Sequence, residues 1–235
     1  MHRISSLLVL IAFLFNLSAQ QQFQLGLQVS NKLTWFSTDE KYVITDGIRY
    51  GGGIRFIIDY NFTENYILNT GLGLMSIGGK VQYVDSLPYF ETRDSIYGIP
   101  PSTTIIKNIE TFTIPLTLKL RTNDIGSLRL YGRFGIQLHI RSNVKGDINI
   151  MNEDQVNFLE GENITREVSL FTLTSPVMAG IEYALWENTR LIAELGYDHG
   201  WSNVSRQLKA ASGEMSDKRR NVTLGYLSLN VGVLF

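Results

Sequence analysis

The residues of this chain that could act as nucleophile or base are few: His139, His199, Asp198 and Ser202, since His2 lies in an N-terminal apolar leader. Covalent or acid–base chemistry needs such a group within hydrogen-bond reach of an orienting partner. Asp198 and His199 are neighbours, and adjacent residues of a strand point to opposite faces, so they make a poor dyad. His139 stands among arginines in an alternating segment and reads as a hydrogen-bonding interior residue. The sequence therefore offers no catalytic, cofactor-binding or metal site: histidines and carboxylates do not cluster at metal-ligand spacing, and cysteine is absent. A lipid-modifying enzyme that uses His139 is one alternative.

A larger set of ionisable residues shares one side of the same alternation. Arg55, Asp59, Lys119, Arg133, Glu182, Glu194 and Asp198 all fall there, with Lys32, Arg129, Arg141 and Arg190. Charges facing a narrow, poorly hydrated interior must pair or they are expensive. The set is expected to form a salt-bridge network that plugs a lumen; the sharper alternative is an ion pathway with charged walls.

The elements that would place these charges alternate at two residues per period, the signature of strands. In the first, Phe23, Leu25, Leu27, Val29, Leu33 and Trp35 share a face interrupted by Asn31, opposite Gln24, Gln28, Ser30, Lys32 and Thr34. In the fifth, Leu128, Leu130, Phe134, Ile136, Leu138 and Ile140 oppose Arg129, Tyr131, Arg133, Gln137, His139 and Arg141. Further strands are read near 48–62, 66–83, 111–121, 168–185, 190–200 and 222–235. Gly78-Gly79 is expected to mark a bulge that turns Val81 and Tyr83 outward, and Pro115 to remove one ladder donor.

Eight such strands predict an all-β fold, an eight-stranded antiparallel up-and-down transmembrane β-barrel, because a sheet exposed to lipid cannot keep an open edge. Short turns follow the second, fourth and sixth strands, and long loops are expected near residues 37–47, 84–108, 142–166 and 202–221. Outer-membrane barrels put short turns in the periplasm and long loops outside, so both termini are expected to be periplasmic. Tyr60, Tyr66, Tyr183 and Trp186 map to the periplasmic rim, with Phe23, Phe62 and Phe235. Trp35 and Trp201 map to the outer rim, with Tyr50, Tyr83, Phe112, Phe171 and Tyr226, giving two aromatic girdles. The loop near 142–166 is acidic (Asp147, Glu153, Asp154, Glu160, Glu162) and that near 202–221 basic (Arg206, Lys209, Lys218, Arg219, Arg220).

Composition sets the compartment. His2 and Arg3 precede an apolar run from Ile4 to Leu17, with a cleavage site expected after Ala19, so residues 1–19 read as a signal peptide and 20–235 as the barrel domain. Without cysteine the mature chain carries neither a lipid anchor on a thiol nor a disulfide. A net charge of -1 argues against nucleic acid. The expected partners are outer-membrane lipid and lipopolysaccharide. The final strand, with Tyr226 near its start and Phe235 at its end, adds the barrel-assembly machinery, since an amphipathic terminal strand can be captured at a sheet edge.

The segments FTIPLTLKLRT (112–122), LYGRFGIQLHIRSN (130–143), residues 181–203 and the C-terminal LGYLSLNVGVLF, with the leader ending Ser-Ala-Gln-Gln, resemble the PorT-like outer-membrane β-barrel family of Bacteroidetes. The resemblance covers the mature chain and implies a barrel without an assigned active site. Through the family's namesake it also implies, as an alternative, a part in type IX protein secretion with secretion-system subunits as partners. The leading expectation is a non-enzymatic outer-membrane barrel with a structural, binding or assembly role. The rival from another class is a secreted lipocalin-like carrier, which would keep its apolar residues inside.

Overall fold

The computed structural model describes residues 22–41, 43–45, 47–84, 87–93, 96–151, 156–186, 188–205 and 221–235. The expected signal peptide 1–19, the basic run 206–220, Glu153 and Asp154 lie outside the described residues. Twelve strands follow in chain order: β1 (Phe23–Thr38), β2 (Val43–Ile44), β3 (Arg49–Asn61), β4 (Tyr66–Tyr83), β5 (Leu87–Glu91), β6 (Ile96–Ile99), β7 (Thr103–Arg121), β8 (Leu128–Met151), β9 (Val156–Asn163), β10 (Phe171–Ala184), β11 (Arg190–Gly200) and β12 (Val222–Leu234).

Eight of them close a ring in the order β1, β3, β4, β7, β8, β10, β11, β12, and β12 returns to β1. Every pairing in the ring is antiparallel. The closing ladder runs from Gly26↔Leu234 to Thr38↔Val222. β2 adds to β4, β9 to the far half of β8, and β5 pairs β6 in a small separate sheet.

Through the lower part of the ring the alternation has one sense. Leu27, Val29, Ile54, Leu72, Leu116, Ile136 and Leu229 are exposed on the outer wall, while Gln28, Ser30, Asn69, Thr117, Gln137 and Asn230 are buried inside. An edgeless sheet with an apolar outer wall and a polar interior suits hydrocarbon surroundings. It is the inverse of a lipocalin-like carrier, so that alternative fails on the placement of the apolar set.

Two features of the ladders follow from single residues. Pro115 lies opposite Gly71 where the β4–β7 pairing pauses, between Thr70↔Leu116 and Gly73↔Thr113. Gly71 has φ of 148°, and a Cβ there would stand 2.0 Å from the Phe56 carbonyl oxygen, so only glycine fits. The second feature corrects the expected bulge. Pairing runs unbroken through Gly78↔Asn108 and Gly79↔Lys107, and Val81 and Tyr83 are buried inside, not turned outward. The extra residue is Ser142: the register shifts between Glu110↔Asn143 and Thr111↔Arg141. Inward positions of β8 are odd up to His139 and even from Val144.

The expected long loops are corrected as well. Residues 103–108 belong to β7, and much of 142–166 is the β8–β9 hairpin. With 19 and 24 residues, β7 and β8 far exceed the roughly 9–11 needed to cross a bilayer. Their far halves keep the alternation, but the interior becomes mainly apolar, with Lys107 and Thr103 of β7 buried there as well. Phe36, Ile77, Val81, Ile105, Ile109, Val144, Ile148, Ile164, Val222 and Leu224 form one buried cluster that fills this end. Beyond the apolar outer wall the surroundings are water, and the ordinary rule of apolar in and polar out returns.

This core predicts a parity test. Ile105→Ala, at a fully buried site, lowers unfolding free energy by about 2–5 kcal/mol. Ile106→Ala, one residue along and exposed, changes it by less than about 0.5 kcal/mol. Denaturant titration of the reconstituted protein reads both.

Candidate functional site

The expected lumen charges meet in two linked clusters near the short-turn end. β3 and β7 bring Asp59 and Lys119 together, with Lys119 Nζ 2.9 Å from Asp59 Oδ2, and β10 adds Glu182 as a second partner of the ammonium. Arg121 Nη1 lies 3.7 Å from Glu182 Oε2. In the other cluster Arg133 of β8 donates through Nε and Nη2 to Glu194 of β11, at 3.1 and 2.8 Å. Arg55 Nη2 stands 3.6 Å from Glu194 Oε1, and Gln28 donates to the same carboxylate.

Asn69 joins the clusters. It donates to Asp59, while its Oδ1 accepts from Arg133 Nη1 at 2.9 Å and Thr117 Oγ1 at 3.2 Å. Its place was readable from the alternation of Leu68, Leu72 and Leu74, but its type carries no charge to draw attention. The Lys119 ammonium also sits 4.5 Å from the centre of the Tyr131 ring. Three carboxylates (Asp59, Glu182, Glu194) thus face four cations (Arg55, Lys119, Arg121, Arg133), and all seven are nearly inaccessible. The space left between the two clusters is about 10 Å³, close to what one water needs.

Asp198 forms no ion pair within these two clusters among the described residues; the charges that act on it are those of Lys32 and Arg133. It lies nearer the middle of the lumen, across the ladder from Tyr226, and accepts from Thr174 Oγ1 at 3.4 Å. Around it, His139 Nδ1 contacts Thr113 Oγ1 at 3.0 Å and its Nε2 contacts Thr174 Oγ1 at 3.2 Å, while Gln137 donates to the Tyr226 hydroxyl at 2.6 Å. The Lys32 ammonium lies 3.8 Å over the Tyr226 ring.

Tyr226 therefore corrects the expected outer girdle. Its side chain is 0% exposed, because odd positions of β12 (Leu227, Leu229, Val231) face outward and even ones face the lumen. The same correction holds for Tyr83. Phe235 does lie exposed at the short-turn end, its backbone N–H donating to Leu25 O at 2.8 Å.

The remaining aromatics form rows at both ends of the apolar wall. At the short-turn end Tyr60 packs 5.0 Å from both Phe23 and Phe62, and Tyr66, Tyr183 and Trp186 are exposed. At the far end Trp35 stacks on Tyr197 at 6.2 Å, and His199 lies 6.3 Å from Trp201. His199 is thus outside the barrel and Asp198 inside it, so the pair cannot act together.

At the short-turn rim Asp124 takes a bidentate contact from Arg129 at 2.5 and 2.7 Å, with Arg190 Nη1 at 3.5 Å. The Arg129 hydrogen bonds hold its carboxyl below the usual value. The stabilisation this gives is complete above the unfolded carboxylate's range and is lost as pH falls through the lower folded value. A ¹³C NMR titration should place the Asp124 midpoint below 3.8, and Arg129→Leu should move it back up.

The buried clusters predict a non-additive series. Lys119→Met strands Asp59 and Glu182 and costs about 3–5 kcal/mol, whereas neutralising all three residues together costs less than the single change. Unfolding in lipid measures both.

The sequence matches the family model described as outer membrane protein beta-barrel domain over residues 5–227. No curated protein matches it. Among solved structures it is similar to Ail, the attachment invasion locus protein of Yersinia pestis, at 13% identity and a TM-score of 0.41, covering 91% of this chain and 99% of that one. It is similar to Neisserial surface protein A at 14% identity and a TM-score of 0.42, covering 90% and 96%. It is also similar to the outer membrane protease OmpT of Escherichia coli at 8% identity and a TM-score of 0.41, covering 91% and 96%. The family match spans nearly the whole chain: the protein belongs to the outer membrane protein beta-barrel domain family.

Proposed function

We propose that this protein is a closed, non-conducting and non-enzymatic barrel, a rigid support that carries a structural or binding role at the cell surface. The observation behind this reading is that, among the described residues, side chains occupy the interior along its length. Paired charges occupy the short-turn end, a hydroxyl-rich layer around His139 the middle, and an apolar cluster the far end. A solute pathway needs water, and neither the 10 Å³ gap nor the apolar cluster provides one.

The same filling argues against catalysis by His139, which is fully buried in the lumen and out of reach of lipid. Short turns in the periplasm and the extended β7–β8–β9 sheet outside is the orientation that outer-membrane barrels favour, and it leaves both termini periplasmic. Lipopolysaccharide then surrounds the outer aromatic row, and the assembly machinery handles the β12 end, where Phe235 sits at the rim. The PorT-like segments support placement in that branch of the family, with secretion-system subunits as the corresponding partner class.

Reconstitution into planar bilayers tests the closed barrel. The expected record is flat, without discrete steps across the voltage range in which porins conduct. Reproducible unitary steps would overturn the proposal and return the charged lumen to an ion pathway.

A further inference from the structure

The lipid-facing wall contains one residue that does not suit hydrocarbon. Asn31 faces outward in β1 between the exposed Val29 and the half-buried Leu33, opposite Leu229 of β12 and Gly52 of β3. Among the described residues its side-chain amide has no hydrogen-bond partner. Trp35 of the far aromatic row lies four steps along the strand from it. At about 3.3 Å per residue and a tilt near 40°, that places it about 10 Å inside the apolar band. An amide left unpaired at that depth is costly, and residues of this kind in membrane spans usually have a partner.

Asn31 also borders a groove. A depression of about 790 Å³ crosses the outer wall from Tyr50 of β3, past Leu33 and Asn31, over β12 and β11, to Val177 and Ala179 of β10. It follows the curve of the ring over five neighbouring strands, roughly 19 Å along the wall at about 4.8 Å per strand. Its lining is apolar except at Asn31, Lys32, Ser228 and the hydroxyls of Tyr50 and Tyr197; Lys32 and Ser228 have side chains buried in the lumen, and the Tyr197 hydroxyl lies 3.4 Å from His199 Nδ1. Tyr50, the most exposed large side chain of the described wall at 83%, stands at one end.

We propose that this groove is a lipid site that holds one acyl chain of a membrane lipid, and that Asn31 hydrogen-bonds a hydroxyl carried on that chain. The groove lies within the wall that faces hydrocarbon, so its occupant comes from the membrane. It runs between two rows of outward side chains, Asn31–Leu229–Leu195–Ala179 and Leu33–Leu227–Tyr197–Val177, a spacing of about 7 Å that admits one chain and not the wall of a second barrel. A plain hydrocarbon chain would leave the amide unsatisfied; a chain hydroxylated a few carbons below its carbonyl puts a donor and acceptor at this depth. Ala179 keeps the β10 end open, since a larger outward side chain there would occupy it.

The test is competitive retention. The barrel is folded with equal amounts of two synthetic phosphatidylethanolamines, identical except for a 3-hydroxyl on one acyl chain. It is then stripped with detergent and weighed intact by native mass spectrometry, with heat-modifiable gel migration as the check on folding. Wild type should retain one lipid and favour the hydroxylated one about tenfold, the scale of one hydrogen bond. Asn31→Leu should keep a lipid but lose the preference, and Ala179→Phe should retain neither. Equal retention of the two lipids by wild type, loss of both on stripping, or a homodimer cross-linked through position 31 would overturn the proposal. The wild-type preference decides the matter even if a variant fails to insert.

Discussion

Backbone groups in hydrocarbon have no water to bond, and the rest of this molecule follows from that. A sheet in lipid must close on itself, and with eight strands closure leaves an interior only wide enough for side chains. Whatever faces inward must then satisfy itself. The protein does so by cross-strand reach: Asp59, Lys119 and Glu182 come from β3, β7 and β10, and Arg133, Glu194 and Arg55 from β8, β11 and β3. These links tie strands that are not neighbours in the ring, so the charge network braces the barrel across its diameter.

The barrel outlasts the membrane, and the change of solvent is written into the strands. Along β7 the inward positions run Lys119, Thr117, Pro115, Thr113 and Thr111, then Ile109, Lys107, Ile105 and Thr103, so one lysine stem is buried within the mainly apolar end. Along β12 they run Asn230, Ser228 and Tyr226, then Leu224 and Val222. Where lipid lies outside, the hydrophobic effect acts on the outer wall and the interior can be polar. Where water lies outside, the interior supplies the apolar core. Tyr226 stands at the crossover with a ring in the apolar cluster and a hydroxyl bonded to Gln137, a natural place for a side chain with one apolar and one polar end.

The strands that cross the apolar band were legible because both faces of the pattern are strong there. The run from Leu128 to Arg141 alternates without a break, and its inward arginine and histidine were read as such. The upper halves were hidden for a physical reason: in Thr103–Glu110 and the start of the far half of β8 the apolar residues are fewer, and Ile105, Ile109, Val144 and Ile148 sit on the opposite face, so their average hydrophilicity read as loop. Val81 and Tyr83 went outward in the sequence reading because apolar residues were assumed to face lipid throughout. The Ser142 bulge leaves no glycine or proline mark, and only the partner strand reveals it. Of the candidate site, the ionised members were predictable from charge. Asn69 and Gln28 complete the network through geometry alone, and Asp198 stands one layer above the two ion-paired clusters, across the ladder from Tyr226.

The inversion of the interior is the central claim, and the absence of cysteine in the chain allows a direct reading of it. A nitroxide placed singly at successive positions from 128 to 151 in reconstituted protein reports collision with oxygen, which concentrates in lipid, and with a water-soluble nickel chelate. Outward sites from 130 to 140 should favour oxygen, and outward sites beyond 142 should favour nickel. Inward sites should be shielded from both along the whole strand, with the phase slipping by one residue at Ser142. Free access of the nickel reagent to positions 144 and 148 would contradict the account, because it would mean that water, and not an apolar core, fills that end of the barrel.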